Sequence, residues 1–525
     1  MKLRFLFVAI SALLLAASAS DSKLTERQRA LHALNRLGFG ARPGDIDRIL
    51  KSGVDIWIDQ QLHPEAIPDR AVEARLQQFE TLRMSDAELI QKYYRPIVEA
   101  RRNKDEQDRE TMQMLRRSAQ EVMTDLVGQR IIRAAQSDRQ LNEVMVDFWM
   151  NHFNVFAGKG IDRFLLTSYE RDTIRPHVWG RFEDLLMATA KSPAMLFYLD
   201  NARSVAAPEN RLRGSGGVPA GLRRHRVTPP QLRRNPAATP QLSMLGGINE
   251  NYARELMELH TLGVDGGYTQ KDVTELARVL TGWSIARPEQ GGGFVFRRGM
   301  HDVGAKTVLG ARFPPGGGIE EGEKMIHILA HHPATAHHIA YKLAQRLVAD
   351  EPPKALVDRV AKRFLDTDGD LRQTVKAVID SPEFWDPHSY RAKVKSPFEY
   401  AISAVRAIDG QITDAMPIAR ELQKIGEPLY GAQPPTGYSD KAEAWVNTGA
   451  LLNRLNFAVA LAANKMPGVR SNVPSATNVD ALAQSLTGGA LTDETRKTIR
   501  EQAGDQTESS TIVGLILGSP EFQKQ

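Results

Sequence analysis

The chain has 525 residues, a formal charge of +5 and no cysteine. Without thiols it has no cysteine nucleophile, zinc–thiolate site or iron–sulfur cluster, so any metal must sit on His, Asp, Glu or backbone oxygens. The positive charge is local: Ala202–Pro240 holds eight arginines against one glutamate, Lys2 and Arg4 add two more, and the remainder is mildly acidic.

The chain opens with "MKLRFLFVAISALLLAASAS". Lys2 and Arg4 precede an apolar run from Phe5 to Ala17 that is too short to span a bilayer, and Ala17-Ser18-Ala19 fits a small-x-small cleavage site. Residues 1–19 therefore read as a signal peptide, with an uncleaved anchor as the alternative. The mature chain is expected to be periplasmic or secreted, with no membrane span. A chain of this length buries a large core and needs no disulfides in such a compartment.

Beyond Ser20, apolar spacing of three and four dominates the chain. It predicts a mainly α fold, a large multi-helix array with a small β-hairpin or extended insertion near 291–318. Thr25 is the expected cap of a helix that ends at Gly38, and residues 86–135 read as long helices with charged outer faces. "QLNEVMVDFWMNHFNVFAGKG" puts Asp147 and Asn151 one turn apart. It also sets His152 beside Phe148 and Trp149, where a histidine is more often core than ligand. Ala202–Pro240, rich in Pro, Gly and Arg and without periodicity, reads as a disordered insertion. Its charge suits an anionic polymer, but a solvated excursion is the plainer reading. Export and the lack of stacking aromatics argue against nucleic acid. The short helix-start pattern Ser-Pro recurs at Ser192, Ser381 and Ser519. We expect one unit over 20–525, with a C-terminal helical subdomain over 320–525 as an option.

"NENYARELMELHTLGVDGGYTQKDVTELARVLTGW", Asn249–Trp283, reads as a helical hairpin dense in polar groups. On a helix turning about 100° per residue, Asn251, Arg254, Glu255 and Glu258 share one face and His260 falls on the other. Arg254 is spaced to neutralise Glu258, which leaves Glu255 in need of an Arg, Lys, His or cation from another element. Met257 stands three residues before His260, so the Glu-x-x-His pattern of bundle di-metal sites fails, and no His-Glu-x-x-His helix occurs. Gly263 is the expected C-cap, and Thr269 with Asp272 resembles a capping box.

Further on, His301, Asp302 and Lys306 share a glycine-bearing loop, where sites often sit. His327 and His331 have metal-compatible spacing, but Pro333 breaks the helix before His337 and His338, and no third ligand is in view. Asp366, Asp368 and Asp370 echo a calcium loop. Leu371 stands where the glycine belongs and Ala377 where the bidentate Glu should be, so Asp370 reads as a helix cap.

The Asn249–Trp283 block, with "FWMNHFNVF", "HDVGAKTVLG", "KSPFEYAISAVRAI" and "PPTGYSDKAEAWVNTGALLNRLNF", resembles the bacterial domain-of-unknown-function family numbered 1800. The resemblance runs from about Leu24 to the C-terminus. It implies an exported, mainly helical protein. It also implies, as a partner, a companion exported protein of the family numbered 1501, similar to alkaline-phosphatase-like enzymes. It supplies no reaction.

Two functions stay open. One is a hydrolase-like enzyme acting on an envelope or extracellular polymer through a polar cleft. Its catalytic candidates are Glu255, Glu258, His260, His301 and Asp302, and its substrate-binding candidates are His152, Asn251, Arg254, Trp283 and Lys306. The other is a non-catalytic binding or assembly partner of a second exported protein, with the same polar residues dispersed into structural ion pairs. The cofactor is unknown, a divalent metal being open. No nucleotide-binding glycine fingerprint, Gly-x-Ser-x-Gly elbow or P-loop is present.

Overall fold

The computed structural model describes residues 23–102, 108–211, 247–287, 292–474, 478–503 and 508–525. The predicted signal peptide and residues 212–240 of the predicted insertion lie outside the described residues. The fold is mainly α, as the spacing predicts, and among the described residues its sheets are three separate antiparallel strand pairs. Two fall near the predicted extended insertion: Trp283–Ile285 with Phe294–Phe296, and Lys306–Val308 with Ala311–Phe313. The third joins Gln411–Ile412 to Val469–Arg470 and carries too few residues to leave a period-2 signal. Among the described residues no helix is long and apolar enough to cross a membrane.

Capping chemistry sets several helix starts. Thr25 and Thr269 each form a full capping box, with Gln28 and Asp272, and Asp370 and Ser519 accept from backbone amides of the helices they open. The helix predicted from Asn249 stops a turn early, at Glu258. There the hydrogen bonds widen: the His260 and Leu262 amides donate five residues back, to Glu255 O at 3.1 Å and Met257 O at 2.7 Å. Thr261 Oγ1 donates to Leu256 O at 2.6 Å, occupying a carbonyl the next helical turn would have used.

One hydrophobic core gathers residues from Ala30 to Phe522. At its centre Trp149, Phe153, Phe182 and Phe364 form a chain of ring contacts at 5.8, 6.4 and 5.7 Å. This chain ties the helix Gln140–His152 to the helices Phe182–Lys191 and Lys354–Asp366. Within 202–211, the start of the predicted disordered insertion, a short stretch packs instead, while Arg203, Pro208 and Glu209 stay exposed. Val205 and Ala206 are buried, and the Ala206 amide donates to Met300 O at 2.9 Å. The apolar run "SVAA" drives this, because its burial outweighs the loop-like composition around it.

Candidate functional site

The ten residues singled out by sequence do not converge. On the helix Glu250–Glu258, Asn251 is exposed, and Arg254 donates to Gln270 Oε1 at 2.7 Å with Glu250 3.9 Å away. Arg254 therefore does not neutralise Glu258, whose carboxylate accepts instead from the Tyr268 hydroxyl at 3.2 Å. Glu255 has no ion pair among the described residues, contrary to expectation. Partial burial and the charge of Glu258 push its carboxyl upward, with Arg254 opposing.

His260 and His152 lie in the core. His152 Nε2 meets His260 O at 3.2 Å, and the His152 ring is 6.3 Å from that of His260 and 6.0 Å from that of His338. Phe153 packs against both. Burial lowers the His260 imidazole to about 3 and the His338 imidazole to about 4, and holds His152 well below its usual range. Burial thus favours the neutral form of all three imidazoles, and His260 Nε2 has no hydrogen bond among the described residues.

His301, Asp302 and Lys306 belong to a third region and are fully enclosed. Glu321 accepts from Lys306 Nζ at 2.7 Å and faces His301 Nε2 at 3.1 Å, while His301 Nδ1 meets Thr281 O at 2.9 Å. Asp302 takes a fork from Arg278, both contacts at 3.0 Å, and a further 3.0 Å bond from Asn210. Trp283 is completely buried, with Gly322 against its ring. None of the ten residues lines the cavity described below. Glu321 and Arg278 supply the ionic partners of His301, Lys306 and Asp302, while Glu321 Oε1 and Trp283 Nε1 have no hydrogen bond among the described residues.

A cleft opens elsewhere, against the helix Gln140–His152. Asp147 and Asn151, one turn apart, form its floor. Arg130 from the helix Asp108–Gln136 and Arg346 from the helix Pro333–Leu347 form one wall. Lys393, Ser396 and Glu399 form another. The segment Glu427–Trp445 closes the top, and the cavity of about 50 Å³ opens to solvent, with room for a few waters or one polar group. Asn151 and Asn154 pin that segment. Asn154 Nδ2 donates to Ala432 O at 3.0 Å and Pro434 O at 2.9 Å. Gly437 adopts φ +69°, and a Cβ there would run into Asn151.

The electrostatics of the cleft are uneven. Arg130 takes one oxygen of Asp147 at 2.5 Å, and Arg346 takes the other at 2.9 Å. Arg346 also reaches Glu399 at 3.0 Å and Asp440 at 3.5 Å. Burial works against the charge on Glu399, but Arg346 and hydrogen bonds hold its carboxyl below the usual range. Glu427 has no ion-pair partner among the described residues. It accepts from the Phe398 amide at 2.8 Å, and burial, then the charge of Asp147, push it up to about 8. The environment thus favours the protonated form of Glu427 and the charged form of Glu399, a divergence of the kind that separates acid from base in enzyme sites. Tyr430, which also lines the cleft, adopts a left-handed conformation at φ +57° and donates to Glu170, which Arg175 holds at 2.7 Å.

The sequence profile described as "Protein of unknown function (DUF1800)" matches residues 32–524. The chain belongs to the DUF1800 family. No curated protein and no solved structure matches this DUF1800 chain. Sequence reasoning missed Glu399, Glu427, Tyr430, Tyr438 and Asp440. The blocks "KSPFEYAISAVRAI" and "PPTGYSDKAEAWVNTGALLNRLNF" carry several of them, but no spacing rule links those blocks to Asp147. Apart from the cleft, His327 and His331 face Glu183 on the outer side of the molecule. The carboxylates of the calcium-like loop diverge: Asp366 pairs with Lys362, Asp368 with His331, and Asp370 caps its helix.

Proposed function

We propose that this DUF1800 chain is an exported, hydrolase-like acid–base enzyme that takes one polar group of an envelope or extracellular polymer into the Asp147–Glu427 cleft. The observation that carries this reading is Glu427, a buried carboxyl on the cleft wall with no cationic partner among the described residues. A general acid works best with a pKa near the operating pH. Glu427 donates its proton to the leaving oxygen as that bond breaks, a water forms the new bond to the atom left behind, and the proton the water releases returns to Glu427. Asn151, Ser439 and Tyr438 offer polar contacts. Export rests on the leading segment with Lys2, Arg4 and the run to Ala17, and the arginines of 202–240 suit an anionic polymer.

The test is incubation of the purified chain with envelope polysaccharide and peptidoglycan fractions, reading released reducing ends and fragments. Glu427→Gln is expected to lower release by at least about 10²-fold while leaving fragment binding unchanged, as loss of a general acid does. Equal release by wild type and variant overturns the reading.

The second reading, an assembly partner of a companion exported protein, is favoured by one observation. Val446, Leu452 and Val459 are large apolar side chains exposed in and just before the helix Thr448–Ala462. Loss of association with Leu452→Asp, with no effect of Glu427→Gln on any assay, would select it.

A further inference from the structure

Outside the cleft, one side-chain cluster has the donor set and geometry of a metal centre. His327 and His331 lie one turn apart at the end of the helix Ile319–Ala330, with ring centroids 4.3 Å apart. The helix Phe182–Lys191 lies alongside in the opposite sense, since Lys191 pairs with Glu323 at one end and Glu183 with His327 at the other. Both Glu183 oxygens are 3.1 Å from His327 Nδ1, and Oε2 is 3.8 Å from His331 Nδ1. The three donor atoms lie within 4.8 Å of one another. That span suits an ion with bonds of roughly 2.0–2.2 Å after a small closure of the side chains.

The next layer supports the same reading. His331 Nε2 is 2.6 Å from Asp368 Oδ1, so a carboxylate orients the ring through the nitrogen that does not face Glu183. Asp368 is itself held in place. It adopts φ +56° ahead of Gly369 at +69°, and its loop is stitched to the residues just before Glu183. The Phe182 amide donates to Gly369 O at 2.8 Å and the Leu371 amide to Gly180 O at 3.0 Å. Two contacts compete with ligation: the His327–Glu183 hydrogen bond, whose proton the ion would displace, and His331 Nδ1 with His327 O at 2.8 Å, from which the ring must turn. His331 lies at the helix C-cap rather than inside it, which leaves room for that turn.

We propose that Glu183, His327 and His331 bind a divalent transition cation of the zinc class, with Asp368 acting through His331 and the remaining coordination positions open to water. Two imidazoles with one carboxylate favour zinc, cobalt or nickel over magnesium or calcium, which select all-oxygen sites. The bound ion would clamp the helix Phe182–Lys191 to the helix Ile319–Ala330. None of the three ligands lines the cleft, so this site stands or falls apart from the acid–base reading.

The experiment uses the untagged full chain titrated with zinc chloride alone, read by calorimetry and metal analysis, with cobalt(II) absorption as a second measure. Wild type is expected to take up one equivalent and to gain thermal stability. His327→Ala and Glu183→Gln, both at solvent-accessible side chains, lose the uptake and the cobalt spectrum. Asp368→Asn weakens affinity roughly 10- to 100-fold, as loss of an outer carboxylate does. His388→Ala, at an exposed histidine elsewhere, and Glu427→Gln bind as wild type does. No zinc uptake by wild type, or unchanged uptake in His327→Ala, overturns the proposal.

Discussion

Asn151 and Tyr438 exchange two hydrogen bonds across 287 positions of sequence. The Tyr438 amide donates to Asn151 Oδ1 at 2.7 Å, and Asn151 Nδ2 donates to Tyr438 O at 2.8 Å. A carboxamide satisfies a backbone N–H and C=O together, as a neighbouring strand would, so one side chain holds down the roof of the cleft. Asn151→Ala leaves both backbone groups unpaired and should lower stability by roughly 1–3 kcal/mol. Asn151→Asp should be worse, because it sets a carboxylate oxygen against Tyr438 O. Guanidinium unfolding and limited proteolysis near 432–440 check this. Unchanged midpoints and cleavage rates would mean that the pair holds nothing.

Glu427 gives a pH dependence with a definite sign. Its folded pKa of about 8 lies above the ordinary 4.5, so the native state binds the proton more tightly than the unfolded chain. The stabilisation is complete below about 4.5 and is lost as pH rises toward about 8. At about 1.4 kcal/mol per unit, the full swing is of the order of a few kcal/mol. Glu427→Gln keeps an oxygen for the Phe398 amide and cannot ionise. The variant should match wild type near pH 5 and exceed it in stability near pH 9. Parallel stability curves for the two proteins would mean that Glu427 is charged or solvated in the native state.

Local chemistry was legible in the sequence and long-range chemistry was not. Thr25, Thr269 with Asp272, Asp370 and Ser519 act through amides within three residues, so their roles are written in short motifs. His152 among aromatics was legible as core for the same reason. His301, Asp302 and Lys306 looked unexplained only because Arg278 and Glu321 stand 15 to 24 residues away in sequence. Helical phase correctly put Asp147 and Asn151 on one face. It could not say that Glu399 and Glu427 would arrive opposite, because that depends on the packing of several helices. The third metal-ligand candidate, Glu183, was hidden likewise: it lies 144 positions from His327.

Asp162 is a buried carboxyl that the fold leaves without a partner. Neither oxygen has a hydrogen bond among the described residues, and burial pushes its pKa to about 9, with Lys159 only partly opposing. The sign matches that of Glu427: the stabilisation is complete below the ordinary 3.8 and is lost as pH rises from there to about 9. Asp162→Asn should be close to neutral near pH 4 and increasingly stabilising toward pH 9, by an amount on the order of a few kcal/mol. Thermal melts of both proteins across that range decide it. A destabilised Asn variant at every pH would mean that the carboxyl has a partner that asparagine cannot satisfy.

The Lys306–Glu321–His301 cluster tests whether a buried charge network is structural. Glu321 lies 2.7 Å from Lys306 Nζ, and both side chains are sealed from water. Burial acts against the glutamate's charge, but His301 and Lys306 outweigh it and hold the carboxyl below its ordinary range. A depressed folded pKa stabilises the protein above the unfolded value and loses that contribution as pH falls through the folded one. The cluster should therefore weaken on the acid side, opposite to Glu427. Glu321→Gln leaves a buried ammonium unpaired and should cost roughly 3–5 kcal/mol. Adding Lys306→Met removes the stranded charge, and the double variant should recover much of that loss, since a hydrophobic replacement of a buried pair is often near neutral. A double-mutant cycle by guanidinium unfolding reads the coupling directly. Additive losses would mean that water reaches the pair and that each charge is solvated on its own.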